Sequence, residues 1–140
     1  MSDQFHGDME AAHISALWER TSHGGEGLAE AAHIWRWDTL NPLLDAAVDA
    51  TNMDNAERRV LVLENPAYDD LHRRGIGLNM VVNLQILMPG ESARPHRHTL
   101  NALRFIIEGD GGAVTTVDGK PVPMMPGDFL LTPGMCWHEH

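Results

Sequence analysis

Pro89-Gly90-Glu91-Ser92-Ala93-Arg94-Pro95-His96-Arg97-His98 is one of two stretches that set the reading of this chain. The other is Pro126-Gly127-Asp128-Phe129-Leu130-Leu131-Thr132-Pro133-Gly134-Met135-Cys136-Trp137-His138-Glu139-His140. Each opens on a proline-glycine turn and ends on histidines two residues apart. Residues i and i+2 of an extended chain point to the same side, so His96 and His98 can approach one ion, and so can His138 and His140. Neutral imidazole is the commonest protein ligand for zinc, copper and ferrous iron. An H-x-H also arises by chance in a chain with 9 histidines among 140 residues, so the flanking sequence has to decide.

Outward from these stretches the texture is that of short strands. Leu78 to Met88 alternates, with Leu78, Met80, Val82, Leu84, Ile86 and Met88 on one face. Asn79, Val81, Asn83, Gln85 and Leu87 fall on the other, a period of two that predicts a strand. Val60-Leu61-Val62-Leu63 is an apolar run stopped by Asn65-Pro66, and Ala102 to Ile107 is a further strand. Ala113 to Val117 and Val122 to Met124 flank Asp118-Gly119, a hairpin dipeptide. Phe129 to Thr132 follows the second proline-glycine turn. Such spacing indicates an antiparallel sandwich or barrel over residues 56–140. Residues 1–55 read as a helical N-terminal arm. It contains an imperfect stripe from Met9 through Ile14, Leu17 and Trp18 to Arg20, and a break at His23-Gly24-Gly25-Glu26-Gly27. An extended His33-Ile34-Trp35-Arg36-Trp37 is expected to bury both indoles. A helix is expected to start at Asn41-Pro42, with an N-cap oxygen and a proline preset for the first turn.

Composition narrows the function. Ten Lys and Arg against 20 Asp and Glu give a net charge of −10, with no basic cluster for a phosphate backbone. No apolar run approaches the roughly 20 residues that span a bilayer, and the polar, acidic MSDQFHGDME is not a secretory signal. The single cysteine, Cys136, excludes an internal disulfide and makes a reducing, cytoplasmic setting the default. Cys136 is read as barrel filling, and the four tryptophans as packing.

The two opening stretches resemble the two motifs of the cupin superfamily, whose fold is a double-stranded β-helix, or jelly-roll, barrel. The first has a glycine, five residues and H-x-H. The second has P-G-D and then a proline five residues before the last metal histidine. Thr99-Leu100-Asn101-Ala102-Leu103 lacks the glutamate ligand usual after the H-x-H, and Met135 replaces a usual glycine. A more specific resemblance runs through His33-Ile34-Trp35-Arg36-Trp37, Glu57 to Pro66, Leu84 to Glu91, His96 to Thr99, Ala102 to Phe105 and Trp137 to His140. These stretches are similar to the gentisate 1,2-dioxygenases and their salicylate and 1-hydroxy-2-naphthoate relatives.

The resemblance implies Fe(II) held by His96, His98 and His138, without a carboxylate. It implies a hydroxylated aromatic carboxylate and dioxygen as partners, with ring cleavage of gentisate to maleylpyruvate as the first expectation. Arg104, Arg59, Gln85, Asn83 and Val81 would bind the substrate, and His140 would be catalytic, orienting substrate or oxygen or moving a proton. Arg104 and Arg59 are expected in the same cavity as the metal. A non-catalytic metal- or ligand-binding cupin is the alternative. Since that family carries two cupins, the barrel is expected to be incomplete, lacking closing strands and a second cupin. His138 would then lie on a terminal strand unpaired along one side, the 140 residues alone would have little activity, and a longer form would be a homo-oligomer.

Overall fold

The computed structural model describes residues 3–16, 18, 30–54, 56–68 and 75–140. They fall into two compact units, Met1–Pro89 and Gly90–His140. The boundary expected at residues 55/56 lies inside the first unit.

That unit is built on a strand with no polar face. β2 (Val60–Leu63) is buried at all four positions and forms the centre of an antiparallel sheet. β1 (Ile14–Ala16) pairs with one edge, Ile14 opposite Leu63, and β3 (Asn83–Gln85) with the other, Val62 opposite Asn83. A central strand covered on both faces has no use for alternation, which is why Val60-Leu61-Val62-Leu63 reads as a continuous apolar run. Helices α1 (Asp3–Ala11) and α2 (Trp37–Ala50) supply Phe5, Met9, Leu40, Leu43 and Ala47 to a core shared with Ile14, Ala16, Leu61 and Leu63.

Several expectations for this unit are corrected. The expected helix from Met9 to Arg20 ends at Ala11, because Ile14 and Ala16 gain a sheet partner that outweighs weak helical periodicity. Residues 17, 19–20 and the 23–27 break lie outside the described residues. Helix α2 begins at Trp37, with Pro42 inside it. Burial of Leu40, Leu43 and Ala47 at helical spacing recruits the turn before the proline and offsets the lost hydrogen bond. Of the two indoles, Trp35 packs on the core and donates to the His13 carbonyl at 3.2 Å, whereas Trp37 is exposed. The strand expected over Leu78 to Met88 is strand only at Asn83–Gln85. Val82, Leu84 and Ile86 do turn toward the core, while Leu78, Met80 and Met88 are exposed.

The second unit matches its sequence more closely. β4 (Ala102–Phe105) pairs antiparallel with β7 (Phe129–Thr132), placing Arg104 opposite Leu130 and Ala102 opposite Thr132. β5 (Val114–Val117) pairs with β6 (Lys120–Pro123) around Asp118 and Gly119, at φ 46° and 76°. Two successive positive φ angles are what a two-residue hairpin with native twist requires. β8 (His138–Glu139) adds to the other edge of β5, with Val117 opposite His138. The architecture is mainly β and antiparallel, with two α-helices among the described residues. No helix among these residues is long and apolar enough to cross a membrane.

Candidate metal centre

His138 is held on both sides. It pairs with Val117 of β5, and it exchanges both backbone hydrogen bonds with His96, each at 2.9 Å. The expectation that His138 is unpaired along one side is therefore wrong: the segment carrying the first histidine pair supplies the missing strand contact. The register of that bridge puts His96 and His138 directly opposite, with ring centroids 4.1 Å apart. His98 joins by the i+2 rule, 4.9 Å from His138. The residues between them point the other way, where Arg97 lies 5.1 Å over the exposed Trp137 ring.

The loop after β7 is fastened to the same segment. The Met135 N–H donates to the His98 carbonyl at 2.7 Å, and the Gly134 N–H to Asn101 Oδ1 at 2.8 Å. Gly134 approaches so closely that a Cβ would collide with the Thr99 carbonyl, so only glycine fits there.

Each ring of the trio has its Nδ1 at a backbone carbonyl two residues away. His96 meets Arg94 at 3.3 Å, His98 meets Leu100 at 2.7 Å, and His138 meets Cys136 at 3.0 Å. A carbonyl can only accept, so each Nδ1 carries the proton and each neutral ring keeps its lone pair on Nε2. The three candidate ligand atoms lie within 4.8 Å of one another. Three neutral nitrogen donors with fixed tautomers suit a first-row divalent cation. No carboxylate joins this group among the described residues, in keeping with the missing glutamate.

Beside the trio stands a cation. Arg104 is half-buried, and burial lowers its pKa from the ordinary value. Its Nη1 donates to Thr132 Oγ1 at 2.6 Å and its Nη2 to His140 Nε2 at 2.8 Å. Neither acceptor is anionic. His140 lies 5.8 Å from His138 and 6.4 Å from His96, ring centre to ring centre, so the guanidinium is one imidazole away from the trio. Cys136 is half-exposed, and its hydrogen bond to Asp118 raises the thiol pKa, which disfavours the thiolate a metal would need.

The other sequence-predicted residues belong to the first unit. Arg59 is 2% exposed and directs Nε and Nη2 at the Thr51 carbonyl, 3.2 and 2.9 Å away, at the C-terminal end of α2. Asn83 and Gln85 are exposed on β3, and Val81 is exposed just before it. Sequence reasoning missed Thr115, Thr132, Asp118 and Asn101. Thr115 and Thr132 are short polar strand residues with no signal of their own, and their roles arise from pairing register, while Asn101 and the hairpin residue Asp118 accept from the backbone N–H groups of Gly134 and Trp137 that the fold brings to them.

The cupin domain profile matches residues 83–140, the span that holds all four of these histidines. A gentisate 1,2-dioxygenase of Ralstonia sp is 50% identical over 76% of this chain and 29% of its own length. The chain carries a cupin domain and is similar along most of its length to gentisate 1,2-dioxygenases. Gentisate 1,2 dioxygenase 1 of Aquipseudomonas alcaligenes is 38% identical over 98% of this chain and 40% of its own length. A salicylate 1,2-dioxygenase variant from Pseudoaminobacter salicylatoxidans, solved with gentisate, is 41% identical with a TM-score of 0.72, over 79% of this chain and 30% of that one. The chain thus spans well under half the length of these family members.

Proposed function

We propose that the chain forms the Fe(II)-binding part of a dioxygenase that cleaves the ring of a hydroxylated aromatic carboxylate, gentisate to maleylpyruvate before others. The observation that carries this is the arrangement of three neutral imidazoles converging through Nε2 beside a half-buried guanidinium that meets only neutral acceptors among the described residues. Fe(II) held by His96, His98 and His138 would supply the point where substrate and dioxygen meet and the path for electrons between them. Both atoms of dioxygen end in the product as the bond between the carboxylate- and hydroxyl-bearing carbons breaks, so no external reductant is required.

The chain's own residues do the rest. Arg104 binds the carboxylate, since a desolvated planar fork gains most from a bidentate anion. His140 Nε2, an acceptor in this structure, takes the proton of the ring hydroxyl. Val81, Asn83, Gln85 and Arg59 complete the proposed substrate set. Arg59 would have to exchange the Thr51 carbonyl for a carboxylate, so Arg104 carries the larger share. A reducing cytoplasm and assembly into a homo-oligomer in a longer form belong to the same reading.

The test is anaerobic Fe(II) loading, then oxygen uptake and optical spectra with gentisate, salicylate and 1-hydroxy-2-naphthoate in turn. Arg104→Ala should raise the KM for carboxylated substrates about tenfold or more, the worth of a charge-assisted pair. Iron binding with no uptake and no spectral response to any of the three would sink the dioxygenase reading in favour of a non-catalytic binding module.

A further inference from the structure

Thr115 and Thr132 are both 0% exposed, and a buried hydroxyl has to be hydrogen-bonded. Their bonds run to the two side chains that flank the histidine trio. Thr132 Oγ1 accepts from Arg104 Nη1 at 2.6 Å. Thr115 Oγ1 lies 3.1 Å from the Glu139 carbonyl and also contacts His140 Nδ1. The carbonyl can only accept, so it takes the Thr115 proton, and His140 Nδ1 must then donate to the Thr115 lone pair. At the other side of the ring, 2.8 Å away, Arg104 Nη2 can only donate, so His140 Nε2 must be the acceptor. Two independent neighbours therefore select the same His140 tautomer, protonated at Nδ1.

We propose that Thr115 and Thr132 are positioning residues for the site: Thr115 holds His140 as the Nδ1–H tautomer, and Thr132 fixes the plane of the Arg104 guanidinium. The consequence for turnover rests on the proposed function; the tautomer does not. A substrate carboxylate that takes the Nη2 hydrogen from His140 leaves the Nε2 lone pair exposed beside the bound molecule. In the opposite tautomer an N–H would face the guanidinium N–H, donor against donor. The strand register supplies both threonines. Thr132 faces Ala102, two residues from Arg104 on one side of β4, and Thr115 lies next to Thr116, which pairs with Glu139.

The decisive measurement is the pair of imidazole 15N shifts of His140 in the metal-free 140-residue chain at mildly alkaline pH. The wild type should show Nδ1 protonated and Nε2 bare. Thr115→Val should mix the tautomers, because it strands a buried N–H, and Thr115→Ser should restore the wild-type shifts. In the iron-loaded chain Thr132→Val should raise the KM for carboxylated substrates about tenfold, with kcat changed less, as one charge-assisted hydrogen bond is lost. A wild-type His140 protonated at Nε2, or shifts unmoved by Thr115→Val, would overturn the inference. The shifts need neither metal nor substrate, so a chain that cleaves none of the three aromatics would defeat the proposed function and leave the threonine inference to be decided on its own readout.

Discussion

Met135 holds a left-handed backbone, φ 67°, where cupins usually place glycine. That conformation costs an L-residue about 1–2 kcal/mol, and the position keeps it because the turn aims the Met135 N–H at the His98 carbonyl. Its side chain is exposed, so little packing compensates. Met135→Gly should therefore raise stability by about 0.5–1 kcal/mol, the relief of strain less the entropy glycine loses on folding, read as an increase in Tm. Gly134→Ala, one residue earlier, should do the reverse, because its Cβ would push the loop off Thr99 and loosen the anchor on His98. At the metal, replacing any one of His96, His98 or His138 by Ala should cut Fe(II) bound per chain by an order of magnitude or more, measured by equilibrium dialysis. A three-donor set that loses one ligand keeps only two, and no carboxylate stands in the group among the described residues.

Among the elements, β2 bears the most weight in its unit, with Leu61 and Val62 at 0% and 1% exposure between two partner strands. Leu61→Ala should cost about 3 kcal/mol in urea unfolding, within the usual 2–5 for a buried leucine that leaves a cavity. The β4–β7 pair shows how one ladder divides its work between faces. Arg104 and Thr132 look toward His140, and the alternate residues Leu103, Phe105, Phe129 and Leu131 point out, all more than half exposed. A one-residue slip of this register would turn Arg104 out and bury a phenylalanine in its place. Alternation was readable in Ala102 to Phe105, but not which face held the arginine, because both faces carry apolar residues.

For the molecule as a whole, that outward apolar face is held against a net charge of −10. Apolar patches drive association and like charge opposes it, the latter only within a Debye length of about 8–10 Å at moderate salt. The chain should therefore self-associate with rising concentration in sedimentation velocity, more strongly as salt is added. Leu103→Glu with Phe129→Glu should abolish this while leaving the His140 tautomer unchanged. Association that falls with salt would point to charge pairing in its place. The match spans 29% and 40% of two of the relatives, less than half of either, and turnover per bound iron should be lower in this chain than in a full-length relative under the same conditions. Equal turnover would show that the remaining length is dispensable for chemistry.

Three things were settled by residue order alone. Turn residues at Pro89-Gly90, Asp118-Gly119 and Pro126-Gly127 mark where strands stop, because their backbone preferences are local. Histidines two apart share a face in any extended chain, so His96 with His98, and His138 with His140, were paired before any fold was known. That no acid stands in Thr99-Leu100-Asn101-Ala102-Leu103, where the cupin pattern usually has a glutamate, is likewise read from residue order. Tertiary structure decided what depends on partners distant in the chain. Ile14 became strand and Trp37 became helix because burial outweighs local preference by several-fold in free energy. His138 found its second strand contact in His96, 42 positions earlier, and strand pairing brought the buried Thr115 to His140 and the buried Thr132 to Arg104. Register is a property of two strands together, and no single strand's sequence contains it.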